Sequence, residues 1–152
     1  MLLEALIGIL IFSCGILALV GMQAAALRGV ADARYRADAA GYANDLLSKI
    51  SLNVDRSSDS ALQSSLAAFQ HQPGGSNCSF SGDASANSIV TDWVANVTGE
   101  TAGDRPALPG ATDAMQQVVV DTAGYNRVTI TVCWKSPEDT AVRNHTLTAF
   151  IN

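Results

Sequence analysis

From Ala5 to Met22 the chain runs for 18 consecutive residues without a charge, and Ser13 is the only polar one among them. As a helix, at 1.5 Å of rise per residue, that run covers roughly 27 Å. The hydrocarbon core of a bilayer is ~30 Å thick, and Leu2 and Leu3 extend the segment further. A cleaved secretory signal is one alternative. It predicts a basic start, an apolar centre of about 7–15 residues and a small-residue cleavage site. Here no Lys or Arg precedes the run, and the run is longer. A helix buried in a soluble core is the other alternative, and length weighs against it.

The helical pattern continues past the apolar run. Ala24 to Ala26 favour helix. Beyond them Ala31, Tyr35, Tyr42, Leu46 and Ile50 keep to three- and four-residue steps and their multiples, which makes an apolar stripe. Arg34 with Asp38, and Asp45 with Lys49, stand at i,i+4 and can pair on the outside. No Pro interrupts residues 1–72. The reading is one helix from about Leu3 to Leu52, roughly 75 Å long, apolar all round in its first half and amphipathic in its second. Gly8, Gly15, Gly21, Gly29 and Gly41 weaken it by ~1 kcal/mol each relative to Ala. They fit close helix packing or controlled bending equally well.

The remainder has the character of an ordinary folded domain. The full chain has 152 residues, enough for one domain with its own core. A net charge of -5 argues against a nucleic-acid binder, which needs a basic face. The first 27 residues carry a single charge, Glu4. The chain therefore divides into a membrane-length half-helix over 1–27 and a globular head over 28–152 that includes the amphipathic half.

Within the head, Ser57, Ser58 and Asp59 offer helix caps, and Leu62, Leu66 and Phe69 follow at helical spacing, so a short helix spans about 59 to 70. Pro73-Gly74-Gly75-Ser76 ends it. A second helix is possible within 82–100, with Ile89, Trp93, Val94 and Val97 on one side. Thr101 to Thr112, with Asp104-Arg105, Pro106 and Pro109-Gly110, reads as a loop. Three segments then read as strands: Met115 to Asp121, Arg127 to Trp134 and Arg143 to Ile151. In the second, Val128, Ile130, Val132 and Trp134 alternate with Thr129, Thr131 and Cys133. In the third, His145, Leu147, Ala149 and Ile151 share one side. Ala123-Gly124 and Ser136-Pro137-Glu138-Asp139 are the turns. Short turns make an antiparallel three-stranded meander, packed on the amphipathic half of the long helix. The fold class expected is α+β.

Glu4 lies at the edge of the apolar run, where a carboxylate would cost ~2.5–3.5 kcal/mol or more if carried to the bilayer centre. A solvated position near a helix N-terminus accounts for it without any function. The alternative is a charge pair with another copy of the same kind of segment. Here the residues carry a resemblance. Met1-Leu2-Leu3-Glu4-Ala5-Leu6-Ile7-Gly8-Ile9-Leu10 resembles the start of a mature type IV pilin or type II secretion pseudopilin. The stretches Gly15 to Arg28 and Ala39 to Leu47 are similar to PilV-like minor pilins, as are Val132-Cys133-Trp134 and Thr146 to Asn152. The resemblance covers residues 1–52 well and 115–152 moderately. It implies a type IV pilin-like fold and a leader removed by a prepilin peptidase, followed by methylation of the new N-terminus. It also implies that Glu4 neutralises the N-terminal amine of a neighbouring subunit. The family's Glu stands one position later, so the resemblance further implies a leader and one mature residue ahead of Met1.

The function implied is that of a minor pilin in a type IV pilus. It would sit in the inner membrane with its head in the periplasm. It would prime fibre assembly with other minor pilins and the major pilin, and end at the pilus tip, with adhesion and twitching motility as downstream roles. Arg28, Arg34 and Arg36 would by charge alone put the C-terminal side inside, so the periplasmic orientation rests on the resemblance. The closest alternative is a GspI-like minor pseudopilin of a type II secretion system. A second is a membrane-anchored periplasmic binding or adhesin domain, for which the apolar helix is only an anchor.

In an exported head an oxidising compartment favours a bridge between Cys78 and Cys133. In the chain-entropy model such a bridge contributes roughly 4 kcal/mol. Cys14, inside the apolar run, reads as a small hydrophobe. There is no CxxC, and His71 and His145 are single, so neither a zinc site nor any other cofactor is expected. Nothing carries a strong catalytic signature, and the protein is not expected to be an enzyme. His145 reads as a structural strand residue, Asp121 as a loop residue, and Trp93 and Trp134 as core.

Overall fold

The computed structural model describes residues 2–101, 105–137 and 139–152. The expectations that fall on Met1, Asp104 and Glu138 lie outside the described residues. The chain forms two compact units, one reaching to Arg34 and the other spanning Tyr35–Asn152.

The first helix, α1, spans Leu2–Asn53 and contributes to both units. Its described residues up to Val30 are all exposed. In the second unit the helix is amphipathic, as the stripe predicts. Ala39, Tyr42, Ala43, Leu46 and Ile50 are buried, while Asp45 and Lys49 pair at 2.9 Å on the wet side. The chain leaves α1 through Asp55, whose carboxylate accepts the Ser57 N–H at 2.8 Å. That bond holds the carboxyl below its ordinary range. Ser58 then caps α2, Asp59–Ala67, by accepting from the Ala61 N–H. This helix stops three residues before the expected end. Phe69 and Gln70 donate to Leu66 and Ala67, three residues back, which tightens the turn and still delivers Phe69 to the core.

Strands β1, Gly74–Ser76, and β2, Ser79–Ser81, form a small hairpin where only a helix stop was expected. Its two-residue loop needs positive φ at both positions, and Asn77 and Cys78 supply it at 53° and 62°. The helix expected within 82–100 is α3, Ser88–Thr98. The Asn87 side chain caps its start, and Gly99, at φ 84°, ends it.

The three predicted strands are present as β3, Gln116–Asp121, β4, Arg127–Trp134, and β5, Arg143–Phe150. They pair antiparallel in the order β3-β4-β5. Met115 falls in a 3-10 turn, Asp113–Met115, ahead of β3. Ile151 lies just past β5, buried, with its N–H on the Asn126 carbonyl. Val118 faces Ile130, which faces Leu147. The alternation in β4 puts Val128, Ile130, Val132 and Trp134 into the core, none more than 1% exposed. On the opposite face Thr129 lies beside Thr148, and Thr131 beside Thr146.

The inner face of the sheet, the buried side of α1 and the apolar faces of α2 and α3 make one cluster. Two polar ties fix it. The indole N–H of Trp93 donates to the Tyr42 carbonyl at 3.0 Å, which joins α3 to α1. The Tyr42 hydroxyl lies within 3.3 Å of the carbonyls of Asn96, Arg105 and Pro106. Burial, with Asp38 adding to it and Arg105 opposing, raises its pKa and keeps it a donor. Gly41 lies under the Arg105 guanidinium, whose carbon stands 2.6 Å from where a Cβ would sit, so a side chain there would make Arg105 move aside.

The Gln116 side chain is fully buried and works as a piece of backbone. Its amide donates to the Cys133 carbonyl at 3.0 Å and accepts the Cys133 N–H at 3.3 Å. It thereby satisfies β4 where β3 has not yet begun. The result is an α+β fold, with a long N-terminal helix packed in its second half against a small antiparallel sheet, compatible with the pilin-like fold implied by the N-terminal residues.

Two substitutions separate packing from hydrogen bonding. Leu46→Ala should destabilise the head by about 2–5 kcal/mol through the cavity it leaves. Gln116→Ala should cost about 1–3 kcal/mol by orphaning the Cys133 peptide groups. Chemical denaturation of the full chain in detergent micelles checks both.

Candidate functional site: the exposed apolar helix

The feature that sets this chain apart is the first half of α1. Successive residues turn by about 100° around a helix, so Leu10, Phe12 and Met22 point in different directions. All are more than 60% exposed. A helix that is apolar on every side requires a non-aqueous surrounding. Among the described residues, α1 is the one helix long and apolar enough to cross a membrane. Ser13 does not break this character, because its hydroxyl donates to the Ile9 carbonyl at 2.7 Å, inside the same helix. Cys14 is a free thiol, exposed on the same segment. Among the described residues, no atom beyond the adjacent backbone of α1 itself stands within 4 Å of where a Cβ would sit on Gly8, Gly15, Gly21 or Gly29. These positions leave the helix surface open for another surface to approach.

Glu4 lies in the first turn of α1 and is exposed. A carboxylate there is favoured by the unpaired N–H groups of the helix start. The expected bridge is present in the other unit. Cys78, in the β1–β2 turn, is bonded to Cys133 on β4 across a Cα–Cα distance of 5.9 Å. Cys133 belongs to the face turned away from the core, yet it is fully buried. A second tie holds the hairpin, because the Gln117 amide donates to the carbonyls of Gln72 at 2.9 Å and Gly74 at 3.2 Å. Glu4 and the cysteine pair thus belong to different units.

The remaining residues singled out earlier take structural places. His145 stands opposite Val132 on β5. Asp121 accepts from Arg127 at 2.8 Å and from the Gly124 N–H at 2.9 Å, closing the β3–β4 turn. Trp93 and Trp134 are in the core. Asp139 receives a two-pronged bond from Arg143 at 2.6 and 3.0 Å, which holds its carboxyl below the usual range and ties the β4–β5 turn to β5.

Sequence reasoning missed a buried polar group around His71, which is 3% exposed. Its ring lies between the Ser85 N–H and the Asp113 carboxylate, each 3.1 Å away. Gln72 donates to the same carboxylate oxygen at 3.2 Å. Nothing in the local pattern marked His71, because its partners come from segments distant in sequence. No family model, curated protein or solved structure matches this chain.

Two outcomes follow from this geometry. Replacing Cys78 and Cys133 together by Ser should lower the unfolding free energy of the head by about 2–4 kcal/mol, read by denaturant titration against the oxidised parent. Phe12→Lys, near the middle of the apolar run, should weaken bilayer insertion by about 2.5–3.5 kcal/mol. Vesicle flotation of the full chain measures that loss.

Proposed function

We propose that this chain is a minor pilin, PilV-like, that primes assembly of a type IV pilus within a complex of minor pilins and comes to rest at the pilus tip. One observation carries the reading. The helix that exposes apolar side chains in every direction up to Val30 also supplies Tyr42, Leu46 and Ile50 to the core of the head. A plain anchor needs no such continuation, whereas a subunit that must move its head and its apolar segment together does.

On this reading the apolar half sits in the inner membrane until assembly, with the head in the periplasm, where the Cys78–Cys133 bridge is stable. Assembly exchanges lipid contact for contact with the apolar segments of other minor pilins and the major pilin. The exchange is close to neutral in hydrophobic terms, so packing and electrostatics set its direction. Glu4 supplies the electrostatic part by meeting the N-terminal amine of a neighbour. An unpaired carboxylate in such a bundle would be costly, which fixes the register. A prepilin peptidase would process the precursor. The role is assembly rather than catalysis.

The test is a clean deletion in the source organism, scored for surface pili by electron microscopy and for enzymes released to the medium. Loss of pili with normal secretion is expected. Normal pili with lost secretion would assign the chain to a type II system as a GspI-like pseudopilin. If neither changed, the assembly role would fall and the anchored-domain reading would replace it. Complementation with Glu4→Ala should leave the protein in the membrane yet restore few pili.

A further inference from the structure

His71 lies between α2 and β1, with its backbone N–H and carbonyl paired to Val118 of β3 at 2.9 and 3.0 Å. Its ring Nδ1 accepts the Ser85 N–H at 3.1 Å. A ring nitrogen that accepts carries no proton, so the proton of the neutral imidazole is on Nε2. Nε2 is 3.1 Å from Asp113 Oδ1. Ser85 passes the connection on. Its hydroxyl donates to the Ala68 carbonyl at 2.9 Å and accepts the Asn87 N–H at 3.3 Å. Asn87 is the residue that caps α3. The imidazole is thus one of three ties on the link from β2 to α3, beside the Ser85 hydroxyl on Ala68 and the Gln72 N–H on Asp83.

A second proton can enter His71 only at Nδ1. That would set two donors face to face, Nδ1–H against the Ser85 N–H, and one contact must open. We propose that His71 is a proton-operated latch: neutral, it holds the Ser85 N–H and the segment around it near the end of α2, and protonated, it releases that N–H and loosens the segment. The hollow that Ser85, Ala86 and Asn87 share with Ala67, Ala68 and Gln70 then widens.

The surroundings set the side on which the latch opens. Asp113, on the 3-10 turn, is the charged group facing the ring, and it favours the imidazolium. Val118 on β3 and Ser85 in the link carry no charge, and Gln72 shares the Asp113 oxygen. Asp83 enters the region through its backbone carbonyl, which accepts the Gln72 N–H at 2.9 Å. Burial outweighs Asp113 and holds the His71 pKa below the ordinary imidazole value. The folded state thus binds fewer protons than the unfolded one. The stabilisation is present in full above about pH 6.5 and is lost as the pH falls through and below that value.

The experiment is amide hydrogen exchange by NMR on the full chain in detergent micelles, at about pH 7.5 and about pH 5, either side of the ordinary imidazole value. Rates are expressed as protection factors. Ser85 should lose protection by about tenfold on the acid side, while Val118 keeps its own. His71→Asn places an oxygen acceptor where Nδ1 was and does not titrate, so Ser85 should be equally protected at both values. Equal protection of Ser85 at both pH values in the parent would overturn the latch, as would the same acid loss in His71→Asn. Ring nitrogen shifts of the parent at neutral pH give an independent check, since a proton found on Nδ1 would refute the proposal whether or not the variant folds.

Discussion

Keeping the start of α1 out of water is the constraint on which the rest depends. From Ala5 to Met22 no direction around the helix offers a polar face. That segment contributes no buried residue of its own. The chain instead restricts its own core to the second half of the helix, where the apolar residues narrow to one stripe. The transition falls in the stretch where Arg28, Asp32, Arg34, Arg36 and Asp38 enter. Up to that point the surroundings must be supplied from outside, and beyond it the head supplies them.

Within the head, the apolar cluster explains cohesion and the polar ties explain uniqueness. Gln116 completes β4, Gln117 carries the β1–β2 hairpin, Trp93 joins α3 to α1, and His71 holds the approach to α3. Each donor or acceptor is buried or nearly so, which makes an unmade bond costly. Apolar packing alone would tolerate several placements of a short hairpin rich in Gly and Ser. The covalent tie at Cys78 and the amide tie at Gln117 permit one.

Much of this architecture was legible because it is written in periodicity. The stripe through Tyr42, Leu46 and Ile50 marks a helix with one wet side, and the alternation in 127–134 marks a strand with one buried face. The bridge was legible from chemistry, as two cysteines in one head. The hairpin was not. Its three-residue strands hold none of the β-branched residues that signal a strand, and its turn uses Cys78 where Gly is the usual marker. His71 and Gln116 were illegible for another reason. Their roles are set by backbone groups on remote segments, and a side chain that bonds to backbone leaves no partner residue type to search for.

The position of the crosslink also bears on how the molecule carries load. Cys78 and Cys133 are separated by 55 residues, and the span between them holds β2, α3, β3 and nearly all of β4. Both α1 and β5 lie outside it. A pull on α1 and β5 first loads the β4–β5 ladder and the Trp93–Tyr42 tie, and once those part the tension passes through the sulfur pair rather than along the enclosed segment. At up to ~3.5 Å per residue, roughly 190 Å of contour is withheld from extension. The head is in this respect a short tether with a protected package, suited to staying recognisable while under strain.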